Sequence, residues 1–384
     1  MRAGRGIVSV VCVLILFCAV GTAFPQPPSV PSLVDRHLDQ ASYADLARQW
    51  NEYIARNGES ADALVNLGMA YDYSEEAEAA LNAARRAVEL DPDNPKALVF
   101  LGKMLSTYKA EEEAALEVLQ HCSDVAPDYG PGVTMLAAVR LRRGELRKAD
   151  EAFTRIFERR IISRPLQDYA YNMLVGLPAG AVLITNGDND TFPPLSLQAG
   201  MNFRTDVAII NLSLLNLPAY VEAVFARRPS IRPDYDVEKH QTTMVNGEPT
   251  LLSYALVDAM ISEGKAPVYI AATAAYRNYG FNPDDRIEGI NLRAGKKGIS
   301  PEDSARLFLE SYRLDSATDW GFAWSLVPTV AKLVENYVAS MIKLAAESGV
   351  SPKTKDRLLD RAASIADFHG MDRASMVIAT MRKK

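Results

Sequence analysis

The chain has 384 residues, 48% of them hydrophobic and 23% charged, a balance that excludes an intrinsically disordered protein and leaves room for two domains with a sizeable core. Its formal net charge is −6, and its basic residues never run beyond pairs or triplets such as Arg142-Arg143 and Arg159-Arg160, so nothing in it would hold a phosphate backbone and no nucleic-acid partner is expected.

Arg2 and Arg5 precede an apolar run over residues 7–20 that only Ser9 interrupts, and Gly21-Thr22-Ala23 supplies small residues for cleavage after Ala23. This pattern predicts a signal peptide over residues 1–23 and a secreted or periplasmic chain. The run is shorter than the roughly 20 residues of a membrane span. N-terminal anchoring is the alternative, and lipid attachment at Cys18 is disfavoured by the bulky Phe17 before it. The most apolar later stretch, residues 207–221, is broken by Asn211, Ser213, Asn216 and Pro218, so no membrane insertion is expected after cleavage. Cys12 and Cys18 leave with the signal, and Cys122 then stands on an apolar helix face as a buried thiol with no disulfide partner. His37, His121, His240 and His369 share no ligand spacing, and neither a metal site nor a cofactor is implied.

A linker over residues 24–32 carries Pro25, Pro27, Pro28 and Pro31, which favour extended backbone. Residues 38–57 read as a helical pair or cap. Internal repetition follows: Leu64, Leu67, Gly68 and Ala80 recur as Leu98, Leu101, Gly102 and Ala114, each time 34 residues on. Glycine and alanine at these places let the helices of a hairpin approach closely. Tyr71, Ala84 and Ala87 fill further contacts, and Asp91-Pro92 stops the second helix. A third copy over residues 129–160 places Ala137 and Ala149 beside Leu136 and Phe153, with the turn at residues 142–145. These residues resemble the tetratricopeptide repeat (TPR) family over residues 61–160, and residues 33–162 read as one helical-repeat region.

Residues 181–185, 206–211 and 267–272 read as short buried strands, with helical patterns at 195–200, 217–227 and 251–263 between them. Residues 287–292 read as an edge strand, and residues 229–250 as a loop or hairpin around Asn246-Gly247. Residues 163–300 are therefore expected to form a small, mainly parallel α/β sheet. Residues 301–384 return to helix. Val330, Leu333, Val334, Tyr337, Val338, Met341 and Leu344 make a 3.6-residue stripe, and residues 353–381 add one or two more helices that cover the sheet or extend the solenoid. The expected fold is α plus α/β: a TPR hairpin solenoid, a small sheet, then C-terminal helices.

Chemistry concentrates in Asn186, Gly187, Asp188, Asn189, Asp190 and Thr191, directly after the first strand, where open α/β sheets bind ligands. Two carboxylates and two amides there are the donor set for a hard cation or for sugar hydroxyls, and Asn211 ends the next strand in the same crevice. The structural alternative makes Asp190 or Thr191 the cap of a helix starting at Pro193, with Asn186 and Asp188 stabilising the turn. Leu177-Pro178, residues 186–193, Thr205-Asp206-Val207, residues 211–216, Pro267-Val268-Tyr269-Ile270 and Glu288-Gly289 together resemble the soluble C-terminal part of GT-C-type protein O-mannosyltransferases and their bacterial homologues, over residues 165–295. In that family the membrane half carries the lipid-linked sugar site and the catalytic acid, and this sequence shows no such half. The resemblance therefore implies a role beside a glycan or a glycosylated envelope protein, not a transferase. Asn189-Asp190-Thr191 and Asn211-Leu212-Ser213 match glycosylation sequons and are read as chance.

No nucleophile elbow, phosphate loop or zincin motif occurs. Asp284-Asp285-Arg286 reads as a solvated turn, and Tyr276, Arg277 and Tyr279 as a stacking surface for a sugar or a core edge. By resemblance, the concave face of the repeats presents Asp62, Val65, Met69, Asp72 and Tyr73, then Lys96, Val99, Lys103 and Ser106, then Thr134 and Ala138. Val65 and Met69 stand where some members place carboxylate-clamping residues, so the face suits a helix or an extended peptide. The C-terminal helices are the alternative occupant. The reading is an exported scaffold for a protein partner; the alternative is a carbohydrate- or metal-binding module acting through residues 186–191.

Overall fold

The computed structural model describes residues 27–30, 38–108, 111–238, 244–245, 248–249, 251–274, 286–294, 298–322 and 328–383. The signal segment, Cys12, Cys18, His37 and His240 lie outside the described residues.

Helix α1 (Gln40–Asn57) starts where the Asp39 carboxylate accepts the Ser42 N–H at 2.7 Å. It is a single helix, and it buries Tyr43, Ala47 and Trp50. Three hairpins follow: α2 (Ala61–Tyr73) with α3 (Ala77–Leu90), α4 (Pro95–Tyr108) with α5 (Glu112–Val125), and α6 (Gly130–Arg142) with α7 (Leu146–Glu158). Ala80, Ala84 and Ala87 are fully buried, as close helix packing requires. A Cβ at Gly102 would sit 2.6 Å from Leu119 of the partner helix α5. A Cβ at Gly68 would sit 3.3 Å from Ala83 of the partner helix α3 and collide with the Phe100 ring of α4, so Gly68 sets the spacing within its hairpin, as expected, and also the spacing to the next one. Cys122 is buried, and burial raises its thiol pKa, consistent with an inert structural role.

Helix α8 (Arg164–Val175) leads to β1 (Val182–Thr185), α9 (Asp188–Met201), β2 (Ala208–Asn211) and α10 (Pro218–Arg227). A two-stranded ribbon, β3 (Met244–Val245) with β4 (Glu248–Pro249), precedes α11 (Leu252–Glu263) and β5 (Val268–Ala271). The expected single edge strand is two strands, β6 (Ile287–Glu288) and β7 (Asn291–Ala294), folded back at Gly289 (φ 63°). A side chain at Gly289 would collide with the Tyr312 hydroxyl. The sheet runs β2-β1-β5-β7-β6, with β2, β1 and β5 parallel and the last two strands antiparallel. The parallel core was legible in the sequence; the whole sheet is mixed.

Up to Thr185 and Asn211 at their carboxyl ends, the parallel strands β1, β2 and β5 are apolar because both faces are covered. Leu183, Ile209, Tyr269 and Ala271 face one core, shared with α8, α12 (Pro301–Arg306), α13 (Pro328–Ala346), α14 (Pro352–Phe368) and α15 (Asp372–Met381). Val182, Ile184, Ala208, Ile210, Val268 and Ile270 face the other. That second core includes Val133, Ala137, Leu146, Phe153 and Ile156 of the third hairpin. The Phe153 and Phe192 rings stand 5.5 Å apart, Gly200 of α9 accommodates the Phe157 ring, and Gly144 (φ 71°), in the α6–α7 turn, lies against the Ala219 carbonyl of α10. The C-terminal helices thus cover the sheet and share no core cluster with the first two hairpins, so they do not occupy the repeat groove there. Among the described residues, no helix is long and apolar enough to cross a membrane.

Because hairpin and sheet share a core, Phe153→Ala should cost about 3–5 kcal/mol and shift the helical and sheet signals together in urea. Separate transitions for the two parts would contradict the shared core.

Candidate functional site

Between Thr185 and α9 the chain must leave a buried strand and enter a helix within two residues. The Asp190 carboxylate makes this possible by accepting the Asn186 N–H at 3.0 Å and the Gly187 N–H at 2.7 Å. The helix therefore begins at Asp188, not at Pro193 as the proline pattern implied, and Pro193 and Pro194 sit inside it. Asp190 is a cap, as the structural alternative held, but it caps from the third helical position. The Thr273 hydroxyl, just beyond β5, donates to the same carboxylate.

Thr191 and Asn211 complete a directional network. Asn211 Nδ2 donates to Thr191 Oγ1 (3.0 Å) and to the Asn186 carbonyl (3.2 Å). Thr191 and Thr185 hydroxyls are 2.7 Å apart, and Thr185 reaches the Ile210 carbonyl at 3.4 Å. Asn211 Oδ1 accepts the Leu214 N–H at 3.1 Å, and the Asn211 N–H donates to the Tyr220 hydroxyl at 3.0 Å. The structure thus brings Asn186, Asp190, Thr191 and Asn211 together. Asp190, Thr191 and Asn211 are buried, whereas Asp188 is exposed and Asn189 half-buried on the first turn of α9.

β1 connects to β2 on one side and lies beside β5 on the other, so this is the point where the strand order reverses. The Thr273–Asp190 bond stitches that crevice across. Burial raises the Asp190 pKa against the hydrogen bonds from Thr273, Asn186 and Gly187. Among the described residues, no group of three or more His, Cys, Asp or Glu is placed to hold a metal. Sequence reasoning missed Thr273 and Tyr220. Thr273 follows a strand end and was open to the same rule that found Asn211; nothing local marked Tyr220. It also missed a polar cluster under the sheet, where the Tyr269 hydroxyl donates to Glu288 at 2.5 Å and accepts from Arg293 at 3.0 Å. Burial, then the Glu288 hydrogen bond, pushes Tyr269 up to about 12. Tyr276, Arg277, Tyr279, Asp284 and Asp285 lie outside the described residues.

On the repeat face, Val65 is corrected: it is 6% exposed and belongs to the hairpin core, because α2 turns that position inward. Met69, Tyr73 and Val99 are half-buried. Lys103 pairs with Asp72 at 2.5 Å and lies 5.4 Å from the Tyr73 ring centre. Lys96 pairs with Asp62 at 3.1 Å, both well exposed. These pairs link successive first helices.

Residues 61–94, the span of the first hairpin, match the tetratricopeptide repeat family model. The first hairpin is thus a tetratricopeptide repeat. Residues 166–247, from α8 through the 186–191 loop to the β3–β4 ribbon, match the model of TMEM260-associated domain 2. No curated protein matches the chain. Similar solved structures include MamA (17% identity, covering 50% of this chain and 98% of that one, TM-score 0.31). YrrB, described as a TPR protein with an unusual peptide-binding site, is 14% identical over 49% of this chain and 79% of its own, with a TM-score of 0.29. A tetratricopeptide repeat protein from Parabacteroides merdae ATCC 43184 is 11% identical over 84% of this chain and 93% of its own, with a TM-score of 0.32.

Asp190→Ala strips the cap from two backbone N–H groups and should cost about 1–3 kcal/mol. Because its folded pKa lies above the ordinary 3.8, the Asp190 contribution is fullest below that value and declines as pH rises through the folded pKa. The stability advantage of the wild type over Asp190→Asn should therefore be larger in acid than at neutral pH, as read by urea unfolding. An advantage that grows with pH would refute the raised pKa.

Proposed function

We propose that the protein is an exported scaffold of the cell envelope that holds a protein partner on the concave face of its first two hairpins. The observation that carries this reading is a repeat face not filled by the C-terminal helices, which lie on the sheet instead. That face sets half-buried Met69, Tyr73 and Val99 beside the exposed Asp62–Lys96 pair, a mixed lining suited to a helix or an extended peptide. Export rests on the signal-peptide pattern of residues 1–23.

A second reading is a carbohydrate- or metal-binding module linked to envelope glycosylation, favoured by the match of residues 166–247 to TMEM260-associated domain 2. In that reading a ligand meets Asn186, Asp188 and Asn189, because the side chains of Asp190, Thr191 and Asn211 are committed inward.

A photo-crosslinking side chain at Met69 should capture a discrete partner in the envelope fraction, and Tyr73→Ala should lose it while circular dichroism shows the chain still folded at the assay temperature. Capture that survives Tyr73→Ala would remove the groove from the reading. For the second reading, a sugar or divalent cation at 100 times its Kd should add about 2.7 kcal/mol of stability, lost in Asp188→Ala. No shift with any of them leaves the loop as a helix entry alone.

A further inference from the structure

Strand β2 is an edge strand, and its free edge carries one unpaired backbone pair. Its register on β1 turns the Ala208 and Leu212 N–H groups inward, to the Ala181 and Thr185 carbonyls at 2.8 Å each. Alternation then points the N–H and C=O of Ile209 outward. Both neighbouring outward groups are already met. Gln198 donates to the Val207 carbonyl at 2.9 Å, and the Asn211 N–H donates to Tyr220 at 3.0 Å. The Ile209 N–H and C=O have no partner among the described residues, an uncommon state in a residue only 9% exposed.

This pair faces a cleft at the seam between the third hairpin and the sheet. Leu146, Tyr220 and Val224 line it, and the enclosed space is about 50 Å³. The Ile209 side chain packs on the far face of the sheet, so its main chain is what the cleft meets. Arg227 and Arg228 stand in the same cleft and also line the wider surface cleft beside it. Arg227 is paired with Asp150 at 2.9 Å. Arg228 reaches only the Thr205 carbonyl among the described residues, which holds its guanidinium near the amino end of β2.

We propose that this slot docks the free carboxyl terminus of an extended peptide whose last residue is small and apolar. An extended residue opposite Ile209 exchanges both backbone hydrogen bonds with it only in an antiparallel pair. Running antiparallel, the last residue donates its N–H to the Ile209 carbonyl and accepts the Ile209 N–H on one carboxylate oxygen. That orientation carries the carboxylate toward the amino end of β2, where Arg228 takes the second oxygen. The slot is one residue long because Gln198 and Tyr220 close it on either side, which suits a chain that stops there. The apolar lining of Leu146, Tyr220 and Val224 and the small enclosed space favour a small apolar side chain there. The slot is separate from the repeat groove and stands or falls independently of it.

The test uses the full chain and a fluorescein-labelled Gly-Ser-Gly-Ser-Ala-Val peptide, as free acid and as C-terminal amide. The acid should bind, with amidation or Arg228→Gln weakening it roughly tenfold or more while leaving the melting curve in place. Saturating peptide should also slow hydrogen exchange at the Ile209 amide roughly tenfold or more. No binding of the acid, equal binding of acid and amide, or an unaltered Ile209 amide under saturating peptide each overturns the proposal.

Discussion

The docking of the third hairpin onto α9 and α10 is the contact on which the rest of the molecule depends. It rests on a ring pair, Phe153 with Phe192, and on two glycines that let helices meet where a Cβ would clash. A repeat stack ordinarily buries each hairpin against the next and ends in a cap. Here the last hairpin ends against a sheet, and each supplies the apolar surface that the other needs. The α/β part is therefore the terminal cap of the solenoid, and the solenoid is one wall of the sheet.

That arrangement explains how the chain's polar groups are spent. The acidic loop after β1 has the composition of a ligand site, yet most of its donors and acceptors are turned inward. A buried carboxylate is tolerable only when donors surround it. Asn186, Gly187 and Thr273 are those donors, and each belongs to the crevice. What the loop offers outward is reduced to Asp188, Asn189 and the half-buried side chain of Asn186. Free main-chain groups lie instead at the Ile209 edge of the sheet, where no side chain among the described residues completes the backbone pair.

In the repeats the same economy holds. Asp72 is almost wholly buried and is neutralised by Lys103 of the next hairpin, so this pair fixes the angle between hairpins rather than awaiting a partner. The exposed Asp62–Lys96 pair is different in kind: surface pairs of this sort contribute about 0–1 kcal/mol, and its side chains are free to exchange partners.

Helix hairpins, the small residues between them, three parallel strands and the two-sided cover of those strands were all legible in the sequence, because each is written in local periodicity. Gly102 and Ala80 declare close packing through their own spacing, and an unbroken run such as residues 181–185 declares a strand buried on both faces. Only the tertiary structure decided that α9 starts at Asp188, since the capping carboxylate also depends on Thr273, just past β5 and far along the chain. Only it decided that Val65 turns inward, that residues 287–294 fold as two strands, and that the C-terminal helices cover the sheet rather than the groove. Each of these turns on which surfaces meet, and periodicity states that a face is apolar without stating what covers it.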